Sequence, residues 1–484
     1  KLGAVPVVVD PGTGLRRLLT CYRSTRPQAF IGIPPAHALR VLFRKHFRSV
    51  RTRVTVGRRW FWGGPTLRQL CARTLPPFEP AATRSDDPAA ILFTTGSTGP
   101  AKGVVYTHGN FDAQLQQIRH HLAFGAEEVD LSTFPLFALF YPALGVTAVI
   151  PQMDPTRPAR ANPERIVEAI ENQGVSNMFA SPALLGRLAA YGRTKGLRLP
   201  SLKRVICAGA PVPPRAIEHF SDLLSEGARL ETPYGATEAV PIASIAAEEI
   251  LSETRQLTDQ GYGICVGRPI NEIAVRIIAL SDEPILRWSE ELVRPQGEIG
   301  EIAVRGGLVS RHYFENAAAD RLAKIPDDGG VWHRMGDLGW IDRKGRIWFC
   351  GRKSQRVITP GGTLYTIPCE SIFNRHPAVF RSALVGVGPP PHQVPVICIE
   401  LAAEQRRRRR KTLRAELLEL GQGQELTRRI RIVLFRRSFP VDIRHNAKIF
   451  REQLADWARK KISPADLRRL RTSEPIDERF AART

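Results

Sequence analysis

Short apolar runs alternate with amphipathic segments along most of this chain. Residues 89–95, AAILFTT, and residues 103–108, GVVYTH, predict two strands on either side of a polar loop rich in glycine. Asn110 is expected to cap a helix that continues to about residue 122. Residues 162–174, NPERIVEAIENQG, predict another helix, because an asparagine can cap it, a proline suits its first turn and a glycine can end it. Strands and helices that alternate in this way predict an α/β fold.

The pattern changes in the second half of the chain. After residue 261 the segments YGICVGRPI, IAVRIIAL and GEIAVRG predict antiparallel strands. Before it, SNMFA and LKRVICAGA predict further buried strands, and residues 182–191 and 214–224 predict the helices that follow them. A chain of 484 residues is too long for one hydrophobic core, so we expect more than one domain.

One apolar segment is long enough to cross a bilayer. Residues 131–153 contain no charged side chain. Pro135, Pro142 and Pro151 interrupt this segment, so a continuous helix is not expected. We therefore expect buried structure here, and an apolar segment beside the glycine-rich loop could also line a tunnel for an apolar substrate.

The composition is that of an ordinary globular protein, with 43% hydrophobic and 24% charged residues. The seven cysteines are scattered and form no C-x-x-C motif, which argues against zinc or a disulfide framework and favours a reducing compartment. Neither H-E-x-x-H nor G-x-S-x-G occurs, so zincin and α/β-hydrolase chemistry lack their local signatures. The chain opens with KLGAVPVVVDPG, which looks like the middle of a domain without a signal peptide, and we expect it to be truncated at its start.

The chain carries a formal net charge of +23. Residues 404–484 contain 23 Lys or Arg and 11 Asp or Glu, and the run RRRRRK at residues 406–411 is the densest basic stretch. Basic runs can bind nucleic acids or acidic membrane surfaces. No interleaved aromatics, zinc finger or RNA-binding signature accompanies this run, so nucleic acid is not an expected partner. We interpret the run as a solvated surface, with docking of an acidic partner as the alternative.

The glycine-rich loop has the residue types of a phosphate site. Residues 93–103, FTTGSTGPAKG, combine glycines, hydroxyl groups and a lysine. The loop is not a Walker P-loop, because Ala101 and Gly103 stand where G-x-x-x-x-G-K-[ST] requires glycine and Ser or Thr. By itself it could also be a flexible connection between two strands.

Five further motifs follow the loop along the chain. They are YGATEA (residues 234–239), GEIGEIAVRG (297–306), HRMGDLGWID (333–342), GRKSQRVI (351–358) and NAK (446–448). In this order and spacing, the chain resembles the adenylate-forming superfamily of acyl-CoA synthetases, luciferases and adenylation domains. The resemblance extends over nearly the whole chain, from about residue 2 to about residue 458.

The resemblance implies two domains. A large N-terminal adenylate-forming domain, residues 1–352, would consist of mixed sheets flanked by helices plus a small β-barrel. A small α+β C-terminal domain, residues 353–484, would act as a mobile lid. The hinge would lie near Lys353 and Ser354, where the family often has an acidic residue in place of the serine.

The resemblance also implies that the chain binds ATP and Mg²⁺ and that a carboxylate attacks the α-phosphate. The β- and γ-phosphates would be held by seven residues of the loop: Thr94, Thr95, Gly96, Ser97, Thr98, Gly99 and Lys102. Thr237 would contact the α-phosphate, and Glu238 would ligate magnesium. Lys448 would reach from the lid and stabilise charge as pyrophosphate leaves, although Asn446 and Ala447 replace the family's usual Ser-Gly before it.

A second group of residues is expected to bind the adenosine part of ATP. Its members are Tyr234, Gly235, Ala236, Gly209, Ala210, Asp337 and Arg352. Tyr234 would lie against adenine, and the two residues of the AGAP motif would form a wall of that pocket. Asp337 would accept hydrogen bonds from the ribose hydroxyls, with Arg352 assisting from the hinge. The family usually has threonine where Met335 stands.

The second reaction step distinguishes the members of the superfamily. Many acyl-CoA synthetases have a histidine after the apolar P-L-F stretch, where this chain has Ala138 and Phe140. Together with MDPTRPARANPE and FPVDIRHNAKIF, this stretch is most similar to the β-lactone synthetases of bacterial long-chain olefin biosynthesis. The resemblance implies adenylation of a long-chain 2-alkyl-3-hydroxy acid and closure to a β-lactone. It also implies assembly with the pathway's β-lactone decarboxylase and reductase, and the scattered cysteines favour a cytoplasmic location.

Two other interpretations stay open. One is a long-chain fatty acyl-CoA synthetase or acyl-AMP ligase, and the other is a non-catalytic nucleotide- or polyanion-binding protein. The presence together of Lys102, Glu238, Asp337, Arg352 and Lys448 favours a catalyst. ATP consumption driven by a carboxylic acid would distinguish the catalyst from the binding protein.

Overall fold

The computed structural model describes residues 2–74, 76–94, 101–125, 127–134, 137–441, 448–463, 465 and 467. The strands within these residues are β1 Val7–Val8, β2 Ala29–Gly32, β3 Thr52–Thr55, β4 Pro88–Phe93, β5 Gly103–Thr107, β6 Val129–Ser132, β7 Thr147–Val149, β8 Asn177–Ala180, β9 Arg204–Cys207, β10 Arg229–Ala236, β11 Ala239–Ala246, β12 Ile264–Pro269, β13 Ala274–Ile278, β14 Gly300–Arg305, β15 Lys324–Asp327, β16 Gly330–Ile341, β17 Ile347–Arg352, β18 Val357–Thr359, β19 Gly362–Leu364, β20 Val379–Val387, β21 Val394–Leu401 and β22 Ile432–Phe435.

The α-helices alternate with the strands in the first half of the chain and are sparse between residues 260 and 365. They are α1 Leu15–Thr25, α2 Pro34–Leu42, α3 Leu67–Cys71, α4 His108–Leu122, α5 Tyr141–Leu144, α6 Pro163–Asn172, α7 Pro182–Lys195, α8 Pro214–Ser221, α9 Ala247–Glu249, α10 Arg255–Asp259, α11 Ala317–Ala323, α12 Thr366–Asn374, α13 Arg410–Gln422 and α14 Arg451–Arg459.

The predicted helix caps are correct in one case and shifted in the other. Asn162 caps α6 through its side chain, which accepts a hydrogen bond from the backbone N–H of Glu164. The prediction that Asn110 caps the helix after the glycine-rich loop is wrong. Thr107 is the N-cap of α4, and Asn110 is its reciprocal partner three residues later, a capping box in which each side chain binds the other's backbone N–H.

The largest sheet changes from parallel to antiparallel pairing along its width. Its strands are ordered β13, β14, β16, β17, β12, β11, β10, β9, β8, β6 and β7, and β15 pairs with β16. Strands β6 to β10 pair in parallel, whereas β10 and β11 form an antiparallel pair and the pairing stays antiparallel from there to β13. The antiparallel half thus begins with the hairpin of β10 and β11, before residue 261, after which the sequence predicted it. The small β-barrel stays a prediction, because the described strands of this half continue the large sheet.

The parallel half of the sheet is buried by helices on its flank. Ile166 and Ile170 of α6 pack with Leu184 and Leu188 of α7 in one apolar core, and all four side chains are fully or almost fully buried. Their i, i+4 spacing places each pair on one face of its helix. These apolar helix faces cover the short parallel strands that lie beneath α6 and α7.

The apolar segment of residues 131–153 is divided among short elements. It contains the end of β6, the short helix α5 and the strand β7, and α5 ends at Gly145, whose φ of 77° suits glycine. Tyr141 is buried, whereas Leu139 and Ile150 are exposed. Within the described ranges, no helix combines the length and the apolar character needed to span a membrane.

The residues after 356 have apolar cores of their own. One face of the sheet β20, β21 and β22 packs against α12 and α13, through Phe373 and Leu417 among others. The other face packs against α14 through Leu454 and Ala458. The basic run of residues 406–411 is exposed throughout, at the start of α13, which agrees with a solvated surface.

Candidate active site

The site forms where the large sheet changes from parallel to antiparallel pairing. Thr237 and Glu238 make the turn between β10 and β11, and Ala236 pairs with Ala239 across that turn. The strand is irregular at Gly235, where a Cβ atom would lie 2.6 Å from the carbonyl oxygen of Ala239. Only glycine allows the two strands to approach this closely. The turn therefore presents Thr237 and Glu238 at a fixed place on the sheet.

Three buried groups hold this turn. The hydroxyl of Tyr313 donates a hydrogen bond to Glu238 Oε1 over 2.7 Å, and the backbone N–H of Ser310 donates to the carbonyl oxygen of Glu238 over 2.9 Å. The hydroxyl of Tyr106 donates to the carbonyl oxygen of Thr237. Sequence reasoning did not identify Tyr106, Ser310 or Tyr313 as site residues. Each lies more than 70 residues from the turn, so no local spacing could indicate the contact.

Helix α4 supports the same turn from a polar face that points inward. Asn110 donates through its side-chain amide to the carbonyl oxygen of Gly307 over 2.8 Å. Gln114 donates to the carbonyl oxygen of Val240, which follows the turn, also over 2.8 Å. Buried amides of this kind satisfy backbone groups that the turn and the neighbouring loop leave without a strand partner.

The two ends of the predicted phosphate loop lie side by side. The backbone N–H of Thr94 donates to the carbonyl oxygen of Lys102 over 3.0 Å, and Thr94 Oγ1 accepts from the backbone N–H of Lys102 over 3.3 Å. The Nζ of Lys102 lies 5.0 Å from the ring centroid of Tyr313, which places it near the ring that holds Glu238. Five predicted phosphate-loop residues lie outside the described residues: Thr95, Gly96, Ser97, Thr98 and Gly99.

Three of the residues predicted to bind adenosine meet in the structure. The hydroxyl of Tyr234 donates a hydrogen bond to Asp337 Oδ2 over 2.6 Å. Asp337 and Arg352 are directly opposite each other in β16 and β17, and Arg352 Nη1 lies 3.1 Å from Asp337 Oδ1. Burial raises the pKa of Asp337, and the positive charge of Arg352 opposes that rise. Arg352 also donates to the carbonyl oxygen of Met335, which stands in the family's threonine position.

The residues of the AGAP motif follow strand β9. Gly209 has a φ of 99°, a conformation that favours glycine. Strands β9 and β10 are parallel neighbours, so their carboxyl ends lie at the same edge of the sheet. Gly209 and Ala210 therefore leave β9 at the edge where Tyr234, Gly235 and Ala236 end β10. Contact of either group with adenine stays a prediction.

Lys448 lies at the start of the segment that leads into α14. Its side chain is exposed, and the next residue, Ile449, pairs with Val441. Arg451 fixes this segment, because it forms an ion pair of 2.8 Å with the buried Glu370 and donates to Gln355 Oε1 over 3.0 Å. The segment that carries Lys448 is thus fixed by contacts of Arg451 with Glu370 and Gln355. The approach of Lys448 to the nucleotide stays a prediction.

The residues that meet here suit a magnesium nucleotide. Asp337 Oδ1 is buried and, among the described residues, accepts no hydrogen bond, although it forms the ion pair with Arg352. It is therefore an acceptor that a hydroxyl group can use. The described residues include no group of three or more acidic, His or Cys side chains that could hold a metal by themselves. One carboxylate, such as that of Glu238, is enough for Mg²⁺, because proteins usually bind this ion through one or two carboxylates, substrate phosphates and water.

The chain belongs to the AMP-binding enzyme family, whose sequence profile matches residues 1–314. Among its relatives, an olefin beta-lactone synthetase of Stenotrophomonas maltophilia is 48% identical over 470 residues, which cover 96% of this chain and 83% of that protein. An olefin beta-lactone synthetase of Xanthomonas campestris pv. campestris is 48% identical over 464 residues, or 95% and 82% of the two chains. A feruloyl-CoA synthase of Amycolatopsis is 28% identical over 313 residues, or 63% and 57%.

Solved structures share the fold at lower identity. The amide bond synthetase of Marinactinospora thermotolerans superimposes with a TM-score of 0.75 at 22% identity, over 94% of this chain and 85% of the other. O-succinylbenzoate coenzyme A synthetase of Bacillus subtilis, in complex with AMP, gives a TM-score of 0.70 at 20% identity, over 93% and 82%. These matches confirm the α/β fold predicted from the sequence.

Proposed function

We propose that this chain is an ATP-dependent olefin β-lactone synthetase that acts on a long-chain 2-alkyl-3-hydroxy acid. The observation that carries the proposal is the 48% identity to two proteins of that name over about 95% of the chain. The identity extends past the hinge into the residues that we assign to the lid. The site adds the ion pair of Asp337 with Arg352 and, on the turn that follows the strand of Tyr234, the carboxylate of Glu238.

The first step in this proposal is adenylation. An oxygen of the substrate carboxylate forms a bond to the α-phosphorus of ATP, and the bond from that phosphorus to the β-phosphate oxygen breaks. Thr237 binds the α-phosphate, Lys102 binds the outer phosphates, and Asp337 with Arg352 orients the ribose. Glu238 would hold a magnesium ion, which would supply positive charge that offsets the phosphate charges. Lys448 stabilises the departing pyrophosphate from the lid.

The second step is closure of the ring. The 3-hydroxyl oxygen of the substrate forms a bond to the acyl carbon, the bond from that carbon to the AMP oxygen breaks, and the hydroxyl proton is released. The hydroxyl is tethered to the group that it attacks, and such tethering can be worth about 7–11 kcal/mol. The strain of a four-membered ring offsets part of that gain. AMP is a good leaving group, so no thiol is needed.

The surroundings of Phe140 favour an apolar acyl group. Phe140 lies 5.9 Å from the ring of Phe111, which stacks on Tyr106 at 5.0 Å between ring centroids. Tyr106 in turn binds the carbonyl oxygen of Thr237. Aromatic side chains thus continue from the turn at the site to the position where many acyl-CoA synthetases have a histidine. This arrangement supports a hydrocarbon substrate next to the phosphate chemistry.

The proposal includes a lid that moves. Residues 353–484 would rotate about the hinge near Lys353 and Ser354 and bring Lys448 into the site. In this structure Lys353 forms an ion pair of 3.0 Å with the buried Glu301 of the large sheet, and Arg356 pairs with Asp282. We also include Mg²⁺ dependence, a cytoplasmic location and assembly with the β-lactone decarboxylase and reductase of the pathway.

One reaction tests the proposed product. The chain is incubated with a long-chain 2-alkyl-3-hydroxy acid, ATP and Mg²⁺, with and without coenzyme A, and the product is identified by proton NMR. We expect AMP, pyrophosphate and lactone ring protons in both tubes. A thioester that forms only with coenzyme A, without lactone protons in either tube, would make the chain an acyl-CoA synthetase. ATP that is bound but never consumed would make it a binding protein.

A further inference from the structure

A buried lysine lies directly behind the proposed metal ligand. Lys324 is the first residue of β15, and only 5% of its surface is exposed. Its Nζ donates hydrogen bonds to Ser310, to the carbonyl oxygen and, over 3.1 Å, to Oγ. The same Nζ lies 5.4 Å from the ring centroid of Tyr313. The adenylation step described above does not use this side chain.

The contacts of Lys324 converge on Glu238 by two routes. Ser310, which accepts from the lysine, donates its backbone N–H to the carbonyl oxygen of Glu238 over 2.9 Å. Tyr313, whose ring faces the lysine, donates its hydroxyl to Glu238 Oε1 over 2.7 Å. One route fixes the backbone of Glu238 and the other fixes its carboxylate. The Nζ of Lys102, the lysine of the predicted phosphate loop, lies 5.0 Å from the same ring, so both lysines contact Tyr313.

The burial of this ammonium group is costly. Desolvation lowers the pKa of Lys324 to about 8, Lys102 adds to that lowering, and the negative charges of Glu238 and Asp320 oppose it. No carboxylate of the described ranges lies within 4.0 Å of the lysine Nζ. His333 pairs with Lys324 between β15 and β16, and burial lowers the pKa of His333 well below its ordinary value, with the charge of Lys324 adding to that lowering.

An apolar side chain would fill this place at lower cost, since a buried charge without a close partner is destabilising. The contacts of Lys324 with Ser310 and Tyr313 indicate a role at the neighbouring Glu238. We propose that Lys324 is a positioning residue for metal–nucleotide binding, which holds Ser310 and Tyr313 so that the Glu238 carboxylate is aligned before the metal arrives. A fixed positive group behind the carboxylate also favours the negative charge of the nucleotide complex. The inference rests on the proposed function, because it assumes that Glu238 binds the metal that accompanies ATP.

The test measures metal binding separately from turnover. Mn²⁺ is titrated into the protein with a non-hydrolysable ATP analogue and followed by electron paramagnetic resonance, and the Mg²⁺ concentration for half-maximal acid-dependent ATP–pyrophosphate exchange is measured in parallel. Loss of a residue that orients a metal ligand costs about 10- to 100-fold in metal affinity. We therefore expect Lys324→Met to weaken Mn²⁺ binding at least tenfold and to raise the Mg²⁺ requirement equally.

Three further variants make the test specific. Lys324→Arg, which keeps the charge, should recover most of the affinity. Tyr313→Phe, which removes the hydroxyl at Glu238, should weaken Mn²⁺ binding to a similar degree, and adding Lys324→Met to it should cost little more. Lys344→Met is the control, because Lys344 is exposed, pairs with Glu253 and lies outside the site. It should leave both measurements unchanged.

The outcomes separate this inference from the proposed function. Wild-type Mn²⁺ affinity in a folded Lys324→Met variant overturns the inference, even if the chain proves to be a β-lactone synthetase. A tenfold loss of Mn²⁺ affinity supports it, even if no 3-hydroxy acid is a substrate. If Lys324→Met does not fold, Ser310→Ala decides, because it removes one acceptor of the ammonium. Unchanged Mn²⁺ binding in that variant overturns the inference, and weakened binding supports it.

Discussion

The hydroxyl of Tyr234 donates a hydrogen bond to Oδ2 of Asp337 over 2.6 Å, although 103 residues separate them in the chain. Tyr234 lies near the end of β10 in the central part of the sheet, and Asp337 lies in β16 of the antiparallel half. The hydrogen bond therefore joins two parts of the sheet that are far apart in the sequence. Arg352, opposite Asp337 in β17, adds a third strand to this connection.

Asp337→Asn should weaken nucleotide binding. It removes the charge that faces Arg352 and replaces the charged acceptor that we assign to the ribose with a neutral amide. A hydrogen bond that involves a charged group contributes about 1.5–3 kcal/mol, so we expect roughly a tenfold to hundredfold loss of AMP affinity by isothermal titration calorimetry. Asp328→Asn is the control, because Asp328 is exposed on the turn after β15. Equal AMP affinity in Asp337→Asn and the wild type would contradict the ribose role.

Lys448→Ala should abolish acyl-AMP formation while ATP binding stays nearly unchanged. The lysine lies in the part of the chain that we propose as the lid, whereas the assigned nucleotide residues lie before residue 353. Loss of a positive group aimed at the transition state should slow adenylation by about two to three orders of magnitude. The measurement is acid-dependent ATP–pyrophosphate exchange. Lys460→Ala, an exposed lysine just after α14, should keep full exchange, and exchange that persists in Lys448→Ala would exclude its role.

Glu238→Gln should change the magnesium requirement more than the nucleotide affinity. The amide keeps the shape and an oxygen for Tyr313, but it lacks the charge that a hard cation prefers. We expect the Mg²⁺ concentration for half-maximal exchange to rise at least tenfold, as for other losses at metal sites. Glu226→Gln, at an exposed position, is the matched control. A magnesium curve that coincides with that of the control would count against metal ligation by Glu238.

Asp130→Asn should make the protein more stable at alkaline pH. Asp130 is fully buried, and burial raises its pKa to about 7, above its ordinary value of 3.8, although a hydrogen bond from Ser132 opposes the rise. The folded state therefore binds a proton that the unfolded state has already lost between about pH 4 and pH 7. Stability from this group is present at low pH and is lost as the pH rises through 7. From pH 5 to pH 8 the wild type should lose about 3 kcal/mol that the variant keeps.

Urea unfolding at pH 5 and at pH 8 measures this difference. The control is Asp154→Asn, because Asp154 is nearly fully solvated and its pKa is lowered by hydrogen bonds from Thr156. The difference in unfolding free energy between that variant and the wild type should be the same at pH 5 and at pH 8. A stability difference for Asp130→Asn that is the same at pH 5 and pH 8 would show that the buried acid does not titrate in this range.

Much of the fold could be predicted because its signals are local. The helix α6 follows from Asn162, Pro163 and the apolar spacing of Ile166 and Ile170, which act within a few residues of one another. The same reasoning placed the strands around the glycine-rich loop. It failed in detail at α4, where Thr107 rather than Asn110 is the cap, because both residue types can cap a helix and only the backbone geometry distinguishes them.

The sequence by itself determined the family, since short motifs in a fixed order identify it without any knowledge of the fold. The same motifs predict functional roles for Lys102, Glu238, Asp337 and Arg352. Only the tertiary structure decided what surrounds them. It placed Tyr313 on Glu238 and Lys324 behind both, through contacts between residues that lie far apart in the chain. Such contacts depend on the order and register of the strands, which many sequences share and no local pattern encodes. A lone lysine at the start of a strand reads as an ordinary surface residue until the sheet forms around it.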